Sequence, residues 1–385
     1  MDYTKYGDSQ SYSNYMNDYA RLYQEIFTNR SYNKLMSPVY GLMPDNISES
    51  DTPPLNIQIK LFYIQIVGLE AQTQVLSTIY QIKMKWRDPR LAWNPEDYGG
   101  IKQIYLSESL LWLPDTNVGT ATGASITRPD EIRALQVLNT GRVKWPTQYF
   151  TENICRMQVS KFPFDTQICM IPFLTWAYEA KFLNLTGSMS DIQIQNQGNG
   201  EWDLIDLSTI YTSYGQGEDG IAKMNYQLTL RRVPNFYVYV IAIPCFILTM
   251  LSAVGMFWTP NYKAEQLTKL GIGLTSLVSM TVLLQMLAEA IPKTAAFPLL
   301  GIYVVLCVGI TSLSCVLVVV FPLDNYHRKS NLDVQRSIEK QKSMDSRSLF
   351  KLYVNEHIFT RHFTFHVIFQ LINLIGFIIF LSFWN

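Results

Sequence analysis

Four long apolar segments in the C-terminal part of the chain constrain its fold more than any other feature. They cover residues 236–257, 270–288, 299–321 and 363–383. Each is close to the length of about 20 residues that an α-helix needs to cross a bilayer. Trp258 and Trp384 follow the first and the last segment, and aromatic residues of this kind collect at membrane interfaces. We therefore predict a bundle of four transmembrane helices.

The second segment is not uniformly apolar. Between residues 268 and 289, small, hydroxyl, amide and acidic side chains recur at steps of three and four, so they share one helical face. Polar groups inside a membrane are costly unless they face other protein or a path filled with water. This face is therefore either a stripe that holds helices together or the wall of an aqueous pore.

Residues 1–235 contain no comparable segment, and we predict that they form a separate domain in water. Residues 326–351 carry seven Lys and Arg against three Asp and Glu, an excess typical of cytoplasmic loops. The expected order is an extracellular domain at 1–235, spans one to three at 236–321, a short cytoplasmic loop with helical segments at 322–357, and the fourth span at 358–385. Both termini would lie outside the cell, at the plasma membrane.

The N-terminal region has the pattern of a β domain. An amphipathic helix is predicted over 17–35, and then runs of alternating polarity follow, separated by turns, such as LNIQIKLFYIQI, TQVLSTIYQIKMKW, CRMQVS and MNYQLTLRR. Many short strands without interleaved helices favour an antiparallel β-sandwich. Glycosylation sequons begin at Asn29, Asn46 and Asn184.

Charge and composition exclude several function classes. The net charge is zero, so nothing favours a nucleic acid or another polyanion as partner. The sequence has no nucleophile–base set, no metal-spaced His/Cys cluster and no phosphate-binding glycine loop. We therefore predict neither an enzyme nor a cofactor or metal site. Membrane lipid is the one partner that the composition itself requires.

Two cysteines in the N-terminal region enclose an unusual loop, CRMQVSKFPFDTQIC. A disulfide between Cys155 and Cys169 would close 13 residues and stabilise the fold by roughly 3 kcal/mol in the loop-entropy model. The loop tip, residues 162–165, is apolar and contains a proline. An exposed apolar tip is unusual for a secreted domain and suggests that it presses on another surface.

This loop resembles the signature of the Cys-loop receptors, the pentameric ligand-gated ion channels. The order and spacing of further motifs agree along almost the whole chain: WRDPRLAWNPEDYGGI, WLPD at 112–115, TWAY at 175–178, EWDL at 201–204, Arg231-Arg232 before the first span, Pro244-Cys245 within it, and AEAIP at 288–292. The resemblance implies a homopentamer or heteropentamer in which an agonist, bound between neighbouring extracellular domains, opens a pore lined by the second span.

The resemblance also implies an aromatic agonist site that attracts an ammonium group by cation–π interaction. The carried-over positions are Trp176 and Tyr178 after the second cysteine, Tyr211 and Tyr214 in the closing loop, and Trp145 and Gln81 on the complementary face. The chain departs from acetylcholine-type receptors at three points. Gly119 replaces a tyrosine, Gln81 replaces a tryptophan, and the closing loop lacks the adjacent cysteine pair of α subunits. These departures leave open a small agonist other than acetylcholine, for example an amine.

For the coupling of binding to gating, the resemblance implies contacts between Pro163 and Phe164 and the link that contains Pro292 and Lys293. A charged pair between Glu70 and Arg232 is expected to join the two regions.

For the pore, the resemblance implies seven lining positions: Thr268, Gly271, Thr275, Val278, Val282, Met286 and Glu289. Val278 replaces the usual leucine of the hydrophobic gate, and Thr268 replaces a glutamate typical of cation channels. Acidic residues at 265 and 289 favour passage of cations. These departures also motivate an alternative, a receptor-fold subunit that binds ligand but conducts only with partner subunits.

Overall fold

The computed structural model describes residues 9–39, 53–191, 197–214, 220–258, 263–292, 296–321 and 361–384. The chain divides into two compact units. The first, here called the β unit, comprises residues 1–70, 74–156 and 167–231. The second, here called the helical unit, comprises residues 71–73, 157–166 and 232–385. Two short segments of the predicted N-terminal domain thus cluster with the helices, among them most of the loop between the two cysteines.

The β unit opens with helix α1, Ser9–Gln24, which continues as one π-helical turn at Glu25–Asn29. The predicted helix is present, but it begins earlier and ends before residue 35. It ends because Ser31 adopts a φ of 50°, which a helix does not allow. Leu22 and Ile26, four residues apart, are fully buried, as the amphipathic pattern predicts.

Eleven strands build two sheets in the described part of the β unit. The larger sheet has the order β3-β6-β7-β2-β1-β9 with β5 also paired to β7, and the smaller has the order β10-β11-β8-β4. The strands are β1 Leu55–Glu70, β2 Val75–Ala92, β3 Gln103–Ser107, β4 Asn117–Val118, β5 Ala121–Ile126, β6 Ala134–Leu138, β7 Thr140–Ile154, β8 Thr166–Leu174, β9 Leu183–Met189, β10 Trp202–Tyr214 and β11 Ile221–Arg232. The predicted β-sandwich is confirmed.

Alternating burial along the long strands explains the sandwich. β1 and β2 pair antiparallel, β2 and β7 do the same, and β1 pairs with β9 in parallel. One face of each strand fills the core, where Tyr80, Phe173 and Tyr226 pack edge to face. Burial raises the pKa values of Tyr80 and Tyr226, so both phenols stay neutral in the core.

The run CRMQVS, predicted as a strand, is not one. Its residues alternate between buried and exposed as in a strand, yet the run is not part of either sheet. The alternation reports only an extended backbone, whereas a strand also needs a neighbour in register. The disulfide between Cys155 and Cys169 is formed, with a Cα–Cα distance of 5.2 Å.

The helical unit contains four described helices that are long and apolar enough to cross a membrane. They are α2 Asn235–Phe257, with a π-helical turn at Val238–Ala242, α3 Gln266–Ala290, α4 Leu299–Val320 and α5 Arg361–Leu381. They agree with the four predicted spans. The predicted cytoplasmic loop at 322–357 lies outside the described residues.

Helix α3 is the least buried of the four. Only 17% of the apolar stretch of this helix is buried, against 44% of the corresponding stretch of α2. Its buried residues are Lys269, Gly273, Met280 and Leu287. A Cβ at Gly273 would lie 2.2 Å from the Cys315 sulfur, so the missing side chain is what lets α3 approach α4 closely.

Candidate functional site

Trp176 stands in the turn that follows β8, with its side chain 61% exposed. The Asp115 carboxylate holds this turn, because its Oδ2 accepts hydrogen bonds from the backbone N–H groups of Trp176 at 3.0 Å and Ala177 at 2.7 Å. The Thr175 hydroxyl closes the turn by donating to the Tyr178 carbonyl at 3.0 Å. Trp176 is therefore not a core tryptophan; its backbone is fixed while its indole faces solvent.

Two of the predicted tyrosines, Tyr211 and Tyr214, belong to β10 of the smaller sheet, and Tyr178 lies in the turn that follows β8. Tyr178 is half-buried, and Tyr211 on β10 is 55% exposed. The Tyr211 hydroxyl donates to the Gly187 carbonyl at 2.7 Å and accepts from the Gly187 N–H at 2.9 Å, so it fastens β10 to β9. Tyr214 is the last residue of β10, and its side chain is not among those that the structure describes.

Trp145, predicted on the complementary face, has a different environment from the other aromatic candidates. Its side chain is only 5% exposed, and its indole N–H donates to the Glu108 carboxylate at 3.0 Å. Glu108 in turn pairs with Arg133 at 2.9 Å. Trp145 points into the sandwich because inward and outward side chains alternate along β7. The ring is buried within the single chain, so a place for Trp145 in the ligand site stays a prediction.

Gln81 lines a surface pocket of about 310 Å³ together with Phe62, Lys83, Arg128 and Gln148. Its amide donates to the Gln148 side chain at 3.3 Å. The ammonium groups of Lys60 and Lys83 lie 5.2 and 4.8 Å from the centre of the Phe62 ring. The Phe62 ring in this pocket is therefore already covered by two ammonium groups. Lys83 and Arg128 give the lining of the pocket two positive charges.

Gly119 has a packing reason to be glycine. A Cβ at this position would lie 2.1 Å from a methyl carbon of Leu174, the last residue of β8. The leucine occupies the space that a side chain at 119 would need. A tyrosine cannot simply replace this glycine, so the departure from acetylcholine-type receptors involves two residues rather than one.

In the helical unit, all seven predicted pore positions on α3 are exposed within the single chain. Val278 is 65% exposed, whereas Lys269 on the opposite side is only 3% exposed. At the C-terminal end of α3, the Gln285 amide donates to the Glu289 carboxylate at 3.2 Å. The polar face of α3 is thus not used to hold the four helices of one chain together.

Arg232 has a different partner from the one predicted. It forms a buried ion pair with Asp165, with Nε–Oδ1 at 2.9 Å and Nη2–Oδ2 at 3.3 Å. Its guanidinium also lies 4.8 Å from the centre of the Phe162 ring. Glu70 is exposed at the end of β1, and its pairing with Arg232 stays a prediction. The carboxylate that Arg232 binds belongs to the loop tip itself.

The loop tip is buried within the helical unit rather than exposed. Phe162 and Pro163 are buried, and the Phe164 ring lies 5.2 Å from that of Phe380 on α5. The backbone N–H groups of residues 299 and 300, at the start of α4, donate to the carbonyls of residues 160 and 162, both at 3.1 Å. Pro292 is buried, and Lys293 lies outside the described residues.

Comparison with known proteins decides the family. The model "Neurotransmitter-gated ion-channel ligand binding domain" matches residues 19–234, more than half of the chain, and "Neurotransmitter-gated ion-channel transmembrane region" matches residues 241–355. The chain belongs to the neurotransmitter-gated ion-channel family. The resemblance to Cys-loop receptors is thereby confirmed, and the family consists of ligand-gated channels rather than enzymes.

Curated relatives come from the nicotinic branch of this channel family. The chain is 30% identical over 316 residues to neuronal acetylcholine receptor subunit beta-3 of Homo sapiens, covering 78% of the chain and 63% of the relative. It is 29% identical over 333 residues to acetylcholine receptor subunit beta-like 2 of Drosophila melanogaster, covering 82% and 61%. The chain therefore spans about three fifths of the length of these channel subunits.

The sequence alone did not identify three residues that position the candidate sites of this channel family member. Asp115 and Asp165 both occur in motifs that carry the resemblance, so those motifs could have pointed to them. Gln72, whose amide donates to the Glu289 carbonyl at the end of α3, lies in the turn after β1 next to the predicted Glu70. No pattern in the sequence singles it out.

Proposed function

We propose that this chain is a subunit of an agonist-gated ion channel, and not an enzyme, in which five subunits surround a pore lined by α3. The exposed polar face of α3 carries this proposal. The Thr275 hydroxyl and the Gln285 amide bond to groups of α3 itself, but lipid would leave the Glu289 carboxylate poorly solvated, and no helix in the described residues covers this face. Water in a central pore would solvate that carboxylate.

The gate of this pore would be the ring of Val278 side chains, because a narrow apolar ring closes a pore by excluding water. Val278→Ser would place a ring of hydroxyls there, and we expect a constitutive leak current. Val316→Ser, at another exposed valine on α4, is the matched control and should not leak. Both variants would be recorded at confirmed surface levels with sodium and chloride replaced in turn. If Val278→Ser reaches the surface and is silent alone, the alternative of a subunit that needs partners takes over, and silence together with related subunits would overturn the pore assignment.

We propose that the pore passes cations. Glu265 and Glu289 are exposed at the two ends of α3, whereas Lys269 is buried against the other helices. Acidic rings at the ends of a pore favour cations. The reversal potential of the leak current tests this directly, since it should follow sodium and not chloride. The same proposal places the chain in the plasma membrane, with the β unit and both termini outside the cell.

The agonist site is proposed to lie between neighbouring subunits, with Trp176, Tyr178, Tyr211 and Tyr214 on one side and the Gln81 pocket on the other. The exposed Trp176 face suits an amine. Lys83 and Arg128 in the Gln81 pocket suit an acidic group and repel a ligand that is only cationic. We therefore propose a small amine that also carries an acidic group, rather than acetylcholine.

Trp176→Ala tests the agonist site. We expect loss of the agonist response at unchanged surface level, because the indole is largely exposed within the folded chain and is not part of its core. Tyr105→Ala is the matched control, since Tyr105 is a similarly exposed aromatic on β3. Unchanged agonist potency in Trp176→Ala would exclude this site.

The alternative is a subunit that binds ligand but conducts only with partner subunits. The filled space at Gly119 and the cationic Gln81 pocket favour it, since both alter positions where acetylcholine-type receptors place aromatic rings. Recording the chain alone and together with related subunits separates the two proposals.

A further inference from the structure

A second pocket, of about 410 Å³, lies on the outer face of the larger sheet in the β unit. It lies where β1, β2 and β7 run side by side, and it contains none of the proposed agonist residues. Its polar lining consists of Asn56, Gln58, Lys85, Arg87, Arg142 and Lys144. Two amides and four cations thus converge on one concave surface, and no acidic residue lines it.

The strand register places these cations directly against one another. Lys85 is opposite Lys144, and Arg87 is opposite Arg142, on the antiparallel β2–β7 pair. Side chains two residues apart on a strand point to the same face, so both pairs share the pocket. Like charges directly opposite each other in a sheet are destabilising. Two such pairs in succession therefore lower the stability of the fold without ligand, and a bound anion would remove this repulsion.

The described neighbours of the four cations in the β unit do not form ion pairs with them. Within the ranges that the structure describes, none of them forms a salt bridge, whereas Arg90 and Arg133 of the same unit pair with Asp88 and Glu108. The residue opposite Lys85 on β1 is Gln58, and the residue opposite Lys144 on β6 is Gln136. Local positive charge is therefore concentrated here although the net charge of the whole chain is zero.

We propose that this pocket is a binding site for a small polyanion that carries two or more phosphate or sulfate groups. Guanidinium groups bind such oxyanions through two parallel hydrogen bonds, and ammonium groups add point charges. The Asn56 and Gln58 amides can donate to the remaining oxygens. The volume lies within the range of small-molecule sites. The site does not depend on the proposed agonist site or on ion conduction.

Titration calorimetry on the purified full chain tests the site with inorganic pyrophosphate. We expect saturable binding of pyrophosphate, about tenfold or more tighter than binding of orthophosphate, because pyrophosphate can engage both pairs. Sodium chloride at matched ionic strength should give no saturable signal. Sucrose octasulfate, tested in parallel, distinguishes a preference for sulfate groups from one for phosphate groups.

Two double variants probe the cross-strand pairs, Lys85→Gln with Lys144→Gln and Arg87→Gln with Arg142→Gln. Each should weaken pyrophosphate binding by about tenfold or more, while the melting temperature without ligand stays equal or rises because repulsion is removed. Lys102→Gln, which removes an exposed cation outside the pocket, and Trp176→Ala should bind as wild type does.

Equal pyrophosphate binding by wild type and both double variants would overturn the proposal. So would a wild-type chain that binds no polyanion while the double variants change its oligomeric size, since the surface would then be a contact between copies of the chain.

Discussion

Two aspartates organise two different regions of this chain, and they do so in opposite ways. Asp115, in the β unit, accepts hydrogen bonds from two backbone N–H groups and so holds an exposed aromatic turn. Asp165, in the helical unit, is fully buried and pairs with the equally buried Arg232. One carboxylate presents a side chain to solvent, and the other fixes a loop tip among helices.

The difference lies in what happens when the carboxylate is lost. Water can replace Asp115 at a turn that is already half exposed, so its loss disturbs local geometry more than folding. Water cannot reach Arg232, so removing Asp165 would leave a buried charge without compensation. The first region suits ligand recognition, which needs accessible groups. The second suits a fixed contact, because removing either partner of a buried ion pair leaves a buried charge without compensation.

The largest expected effect comes from Asp165→Ala. Breaking a buried ion pair by removing one partner typically costs about 3–5 kcal/mol, and we expect little folded protein at the cell surface. The double variant Asp165→Ala with Arg232→Met should recover part of that loss, because no uncompensated charge remains. Surface labelling and the melting temperature of purified protein measure both. A single variant that melts like wild type would show that the pair does not stabilise the helical unit.

An intermediate effect is expected from Asp115→Ala. Hydrogen bonds to a charged acceptor contribute roughly 1.5–3 kcal/mol, and the half-exposed carboxylate lies at the lower end of that range. The channel should still assemble, but the Trp176 turn would loosen and agonist potency would fall. Asp115→Asn retains one acceptor oxygen and serves as the matched control. If Asp115→Ala abolished assembly and left potency unchanged, the contrast between the two aspartates would be reversed.

The smallest expected effect comes from Tyr211→Phe. The variant removes only the hydroxyl that fastens β10 to Gly187, and an exposed hydrogen bond of this kind contributes about 0.5 kcal/mol. We expect about a twofold loss of agonist potency, read from dose–response curves. Tyr211→Ala, which also removes the ring, should lose much more. Equal losses in the two variants would mean that the hydroxyl, not the ring, is what the site needs.

Much of the fold follows from local pattern. Runs of apolar residues mark the four helices, alternation marks the long strands, and the spacing of Cys155 and Cys169 allows their disulfide. These patterns are local because the backbone period of a helix or strand is set within a few residues. The same reasoning was wrong for CRMQVS, whose extended backbone joins neither sheet, and for the C-terminal end of the first helix.

Motif order likewise pointed to the family, and with it to Trp176, which proved exposed. The motifs did not show which residues contact the site residues. Trp145 alternates like its neighbours, but only the direction of β7 shows that its ring enters the core.

Only the tertiary structure decided which distant residues meet. Asp115 lies 61 residues from Trp176, and Asp165 lies 67 residues from Arg232. The cation pairs of the second pocket exist only because β2 and β7 meet in one register, since a shift of one residue would turn each side chain to the other face. Periodicity reports the conformation of a segment. Pairing depends on how segments pack, and packing is settled by the whole chain at once.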